Sequence, residues 1–160
     1  LVLRQKTADL RLQDLNIGDT FDLGDYLMSR EKVYAFASEY DAQPFHLSDE
    51  GAVGHPIFKR MAASGWHTVV AMQNKLADLW KGTKIRGLAG SGVERIKWLA
   101  PVYVGENLRC MVEIADIRPS ASRPGRASIT MLASMQDESG ARVCEMALTG
   151  VFLTLDQDEK

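Results

Sequence analysis

The chain has 160 residues, of which 46% are hydrophobic and 25% charged, and its formal net charge is −2. That length suits one domain burying roughly 70% of its unfolded surface. The near-neutral balance excludes the basic excess expected of a nucleic-acid binder.

No run approaches the roughly 20 apolar residues of a membrane span. The N-terminus carries Arg4, Lys6, Asp9, Arg11 and Asp14 where a signal peptide would have an apolar core, so a cytoplasmic protein is expected. The first residue, Leu1, is not a methionine, which suggests processing or trimming. Cys110 and Cys144 lie far apart in apolar, strand-like surroundings and read as buried reduced thiols. The three histidines share no metal-ligand spacing with carboxylates, and no metal is assigned.

Residues 1–16 mix charge and leucine without a period and read as an N-terminal arm; residues 17–155 form the domain and 156–160 a tail. Thr20 to Met28 predicts a first strand. Ser29 is the N-cap of a helix whose Val33, Phe36, Ala37 and Tyr40 recur at i, i+3, i+4 and i+7 and are expected to pack inward. Asp41 follows at its end. Residues 49–56 predict a short helical or irregular connection.

From Trp66 to Trp80 the chain is apolar nearly all round, which predicts a helix buried on most sides. Gly82 to Gly92 reads as a glycine-rich connection without the Gly-Lys-Ser/Thr ending of a phosphate loop. Val93–Leu99, Leu108–Ile114, Ala127–Met135 and Cys144–Phe152 follow as strands, the last three alternating with period two as a half-buried antiparallel sheet does. Residues 120–125 and 137–140 supply hairpin turns. One strand, helices, a long buried helix and then a four-strand meander imply an α+β hot-dog fold, a curved antiparallel sheet wrapped about the long helix.

Two segments carry chemistry. Asp41-Ala42-Gln43-Pro44-Phe45-His46 sets a carboxylate and an imidazole five positions apart around a proline, whose fixed φ favours a rigid turn that aims both side chains into one space. Ala63-Ser64-Gly65-Trp66 opens the apolar helix and offers free backbone N–H groups beside that pair. Taken alone, Asp41 as a turn former and His46 as a surface histidine is the simpler reading; the ordered pair of segments weighs against it. His55 lies in a loop, His67 reads as a hydrogen-bonded core histidine, and Ser64 lacks the strand-turn-helix context of a hydrolase nucleophile.

Together with Tyr34-Ala35-Phe36-Ala37, Asp49 and the strand run Val93-Glu94-Arg95-Ile96-Lys97-Trp98-Leu99-Ala100-Pro101-Val102-Tyr103-Val104-Gly105-Glu106, these segments resemble the MaoC-like dehydratases, the (R)-specific enoyl-CoA hydratase group of hot-dog proteins. The chain departs from that pattern at Gln43, where the family usually has Asn, and at Ser64, where it often has His. The resemblance implies reversible hydration of a trans-2-enoyl thioester to the (R)-3-hydroxyacyl product. Asp41 and His46 would activate water and move the proton, and Gly65 would hold the thioester oxygen through its N–H. Pro44, Phe45, Ser64 and Trp66 would flank the substrate, and Arg86, Arg95 and Lys97 would lie near a coenzyme A phosphate tail. No cofactor is implied beyond coenzyme A as part of the substrate, and a homodimer or an assembly of dimers is expected. The alternatives are a hot-dog thioesterase, which would release free thiol, and a catalytically silent acyl-thioester-binding module.

Overall fold

The computed structural model describes residues 2–154, so the tail at 156–160 lies outside the described residues. Six strands form one sheet in the order β1-β2-β4-β5-β6-β3. They are β1 (Val2–Leu3), β2 (Asp19–Leu27), β3 (Gly87–Trp98), β4 (Asn107–Pro119), β5 (Arg126–Gln136) and β6 (Arg142–Leu153). The helices are α1 (Arg30–Tyr40), the single turn α2 (Pro44–Leu47) and α3 (Gly65–Leu79). The α+β hot-dog architecture expected from the sequence is the one found.

Alternation builds the inner face of the sheet. Leu108, Cys110, Val112 and Ile114 on β4, and Ala127, Ile129, Met131, Ala133 and Met135 on β5, are all buried. Facing them are Ala71, Met72, Leu76 and Leu79 of α3 in the same core, where a fully buried side chain of this size stabilises by roughly 1.5–3 kcal/mol. Cys110 and Cys144 are both free and buried; burial pushes their thiols up to about 12 and about 11, so both are protonated at neutral pH. The β5–β6 turn closes on Asp137, whose side chain accepts from the Ser139 and Ala141 N–H groups. Gly140 there takes φ +84, a backbone state that favours glycine.

Several expectations give way. The four-strand meander shrinks to three strands, because β3 does not pair with β4; it crosses to the far edge and pairs antiparallel with β6. Its exposure along nearly its whole length suits an edge, whereas β4 has a buried stripe that needs a neighbour on each side. The glycine-rich stretch is not a loop throughout: Gly87, Gly90 and Gly92 lie in β3, where the pairing with β6 slips three times. The N-terminal arm is tied down, with β1 parallel to β2 and Leu10, Leu12 and Leu15 buried in the core.

The helices are also less enclosed than their composition suggests. On α1, Val33 and Ala37 are buried, but Tyr40 is 67% exposed. On α3, Trp66 and Val70 are 55% and 52% exposed, so one side of that helix is only partly covered by the described residues.

Candidate active site

Asp41 is the C-cap of α1, its N–H donating to the Ala37 carbonyl at 2.9 Å. The chain then turns sharply, with the Gln43 N–H on the Asp41 carbonyl at 2.8 Å, and Pro44 opens α2 at a position where its missing N–H costs nothing. One helical turn brings His46 back toward Asp41, and the His46 Nε2 lies 3.5 Å from the Asp41 Oδ2. His46 is only 6% exposed, which removes the surface-histidine reading.

The imidazole is held by its other nitrogen. His46 Nδ1 lies 2.7 Å from the Ala62 carbonyl oxygen; a carbonyl only accepts, so Nδ1 carries a proton, and in the neutral imidazole Nε2, the nitrogen facing Asp41, is the basic one. The Ala62 N–H donates to the Phe45 carbonyl at 3.0 Å, and Ala62 bridges to Tyr103, so this support is rigid. Phe45 packs edge-on beneath the His46 ring at 4.5 Å between centroids.

Residues 62–64 lead directly into α3. Ser64 is its N-cap, with φ −56 and ψ 140, and its Oγ accepts the Trp66 N–H at 3.2 Å. The same hydroxyl donates to the Asp41 Oδ2 at 2.6 Å. The Gly65 N–H, at the first helical position, has no hydrogen-bond partner among the described residues. Gly65 lines a cleft of about 400 Å³ together with Asp41, His46, Trp66 and Trp98. The partial positive charge of the α3 N-terminus favours negative charge there.

The remaining wall comes from residues the sequence did not mark as site residues. Phe58, Thr68, Leu99 and Val143 also line the cleft. Trp98 stands against Gly65: a Cβ on Gly65 would lie 2.6, 2.8 and 2.9 Å from Nε1, Cε2 and Cδ1 of the indole. Near-equal distances to three ring atoms put that position over the face of the pyrrole ring, so glycine is required for the approach. Trp98 was visible in the strand signature; the Ala62 carbonyl, a backbone atom, left no signal in side-chain identity.

Not every expected contact forms. Phe45 and Pro44 support the site from below and do not line the cleft. Ser64 contacts Asp41 instead of presenting its hydroxyl freely to a substrate. Arg95 lines a separate groove on the other side of the sheet with Leu132, Ser134 and Glu145, and Lys97 pairs across from Glu145. Arg86 precedes β3 at the end opposite Trp98, roughly 35–40 Å of strand away. None of the three basic residues reaches the cleft within one chain.

His67, on the next turn face of α3, is a core histidine. It is 4% exposed, stacks on Phe36 with centroids 4.9 Å apart, and meets the Tyr26 hydroxyl at 3.4 Å through Nε2. Its Nδ1 has no partner among the described residues. Burial, helped by the charge of Lys32, holds its pKa down at about 4 against an ordinary 6.5. A base whose pKa is depressed by folding contributes stability that is complete above about 6.5 and lost as pH falls toward 4, here about 3 kcal/mol. Urea midpoints at pH 7 and pH 4.5 should therefore separate more in the wild type than in His67→Gln; equal separation would show that His67 carries no acid sensitivity.

A family model described as MaoC like domain matches residues 13–133. The chain belongs to the MaoC-like dehydratase family. A MaoC-like dehydratase from Rhodospirillum rubrum is 33% identical, the match covering 90% of this chain and 97% of that one, with a TM-score of 0.78. The Bacillus subtilis protein YdeM is 26% identical over 141 residues, covering 88% and 96% of the two chains. An (R)-hydratase from A. caviae shares the fold, at 22% identity, 89% and 99% coverage and a TM-score of 0.65. In this MaoC-like chain the matched segment runs from the end of the N-terminal arm into β5, and so contains Asp41, His46 and Gly65.

Proposed function

We propose that the protein reversibly hydrates a trans-2-enoyl thioester, with coenzyme A as the thiol, to the (R)-3-hydroxyacyl thioester. The observation that carries this reading is the convergence of Asp41, His46 and an unpartnered Gly65 N–H on one cleft. With the imidazole neutral, the facing groups, Nε2 and a carboxylate oxygen, are both acceptors, and they stand 3.5 Å apart. A water donating one hydrogen to each would be aimed by both.

As the water oxygen bonds to Cβ, the pair takes one of its protons, and the carbon–carbon π electrons move to leave negative charge on the thioester oxygen. The Gly65 N–H and the α3 N-terminus stabilise that oxygen. Returning the proton from the pair to Cα completes a net addition of water, and the same steps reversed give dehydration. The (R) configuration and the coenzyme A thiol follow the family resemblance. The test is a panel of enoyl-CoA substrates followed by loss of the conjugated enoyl-thioester absorbance. Release of free thiol without hydroxyacyl product would mark a thioesterase instead, and no change with any substrate would leave a binding module.

The same reading takes the active form to be a homodimer joined along β3. That edge is long and exposes Leu88, Val93 and Trp98, and an unpaired strand edge of this kind invites pairing with another strand. Trp98 meets Trp66 edge-on at 5.2 Å, so the apolar rim runs from β3 onto the partly covered side of α3 at Val70. A second copy related by a two-fold axis would cover both in one closed contact. Sedimentation should find a dimer, or a multiple of dimers, at micromolar concentration; an active monomer there would contradict it.

A further inference from the structure

Ser64 is almost completely buried, at 1% exposure, yet its hydroxyl is fully engaged. One lone pair takes the Trp66 N–H at 3.2 Å, the usual work of a helix N-cap. Its proton goes to the Asp41 Oδ2 at 2.6 Å. A cap needs only an acceptor, so the second bond is surplus to capping and joins two elements that are 23 residues apart in sequence.

The backbone around Ser64 is fixed independently. The Ala63 N–H donates to the Val102 carbonyl at 2.7 Å, and the preceding residue supplies the carbonyl that holds His46. Three neighbouring residues thus anchor the imidazole, anchor the carboxylate and carry the free N–H: Ala62, Ser64 and Gly65. Asp41, in contrast, sits at a helix end with a 25% exposed side chain, and the described contacts of its carboxylate are Ser64 and His46. Without the hydroxyl, that carboxylate is free to rotate into solvent.

We infer that Ser64 is a positioning residue: its hydroxyl locks the Asp41 carboxylate to the start of α3, setting the acid/base pair at a fixed distance from the Gly65 N–H. The inference rests on the hydration reading for its effect on turnover. The bond itself exists whatever reaction the cleft performs. A displacement of about 1 Å in a reacting group can cost roughly 100-fold in rate, so the strut is expected to act on kcat and not on substrate affinity.

Ser64→Gly is the informative variant, because glycine keeps most of the N-cap preference while removing the hydroxyl. It should lower kcat roughly 10- to 100-fold with KM within about twofold. Ser64→Thr, which restores a hydroxyl, should recover most of the loss. In an Asp41→Asn background the further loss from Ser64→Gly should shrink to about twofold or less, since the group being positioned is already disabled. An unchanged kcat in Ser64→Gly, or the same loss with and without Asp41, would overturn the inference. If the wild type hydrates no enoyl thioester, the hydration reading falls and the strut is judged on urea midpoints: the Ser64→Gly and Asp41→Ala shifts, each of which removes the bond, should be less than additive, and strict additivity would overturn it.

Discussion

Asp41→Asn and His46→Gln should each lower turnover roughly 10²- to 10⁴-fold, the range associated with a positioned acid or base. The double mutant should be little worse than either single, because groups that share one proton-transfer step lose their effect together. The two substitutions differ in what they do to the fold. Asn at 41 retains an oxygen for the Ser64 hydroxyl, so the melting temperature should hardly move. Gln at 46 disturbs a 2.7 Å bond to the Ala62 carbonyl in a buried place, at a cost of about 1–3 kcal/mol. Turnover is therefore to be compared at a temperature where both variants are folded. Near-full activity in a folded single variant would remove that residue from the chemistry.

The second large effect is expected at Gly65, and its test needs Trp98. The backbone N–H is removed only by proline, and Ser64 with φ −56 and ψ 140 already has the extended conformation that a following proline requires. Any side chain at 65, however, places a Cβ 2.6 Å from the indole Nε1 of Trp98. Gly65→Ala should thus lose activity by displacing the indole from the cleft wall, even though its N–H is intact. The comparison that isolates the N–H is made in Trp98→Ala, where the space is open. There, Gly65→Pro should turn over roughly 10²- to 10³-fold more slowly than Gly65→Ala, the usual cost of one oxyanion donor. Equal rates in the two folded double variants would exclude the Gly65 N–H as that donor.

These tests depend on features that differ in how far the sequence reveals them. Asp41, Pro44 and His46 were legible because the constraint is local: proline fixes the turn, and one helical turn from Gln43 to His46 decides where the imidazole goes. The start of α3 was legible for the same reason, a capping serine before an apolar run. The inner faces of β4 and β5 followed from period-two alternation, which is a property of the extended chain itself.

What the sequence by itself determined was therefore the class of fold, the approach of Asp41 and His46 and the free Gly65 N–H, each set by forces acting within a few residues. The tertiary structure alone decided the rest. Pairing β3 with β6 carries Trp98 onto Gly65 and sends Arg95 and Lys97 to the other side of the sheet, and no local preference of β3 selects that partner. The partly covered face of α3 looked buried from composition, because hydrophobicity records that a face leaves water and not which surface covers it. Likewise, the Ala62 carbonyl and the Ser64 hydroxyl acquire their partners only when segments 16 and 23 residues apart are packed together. A hydrogen bond needs both atoms within about 3 Å, and that distance is set by packing, not by the identity of either residue.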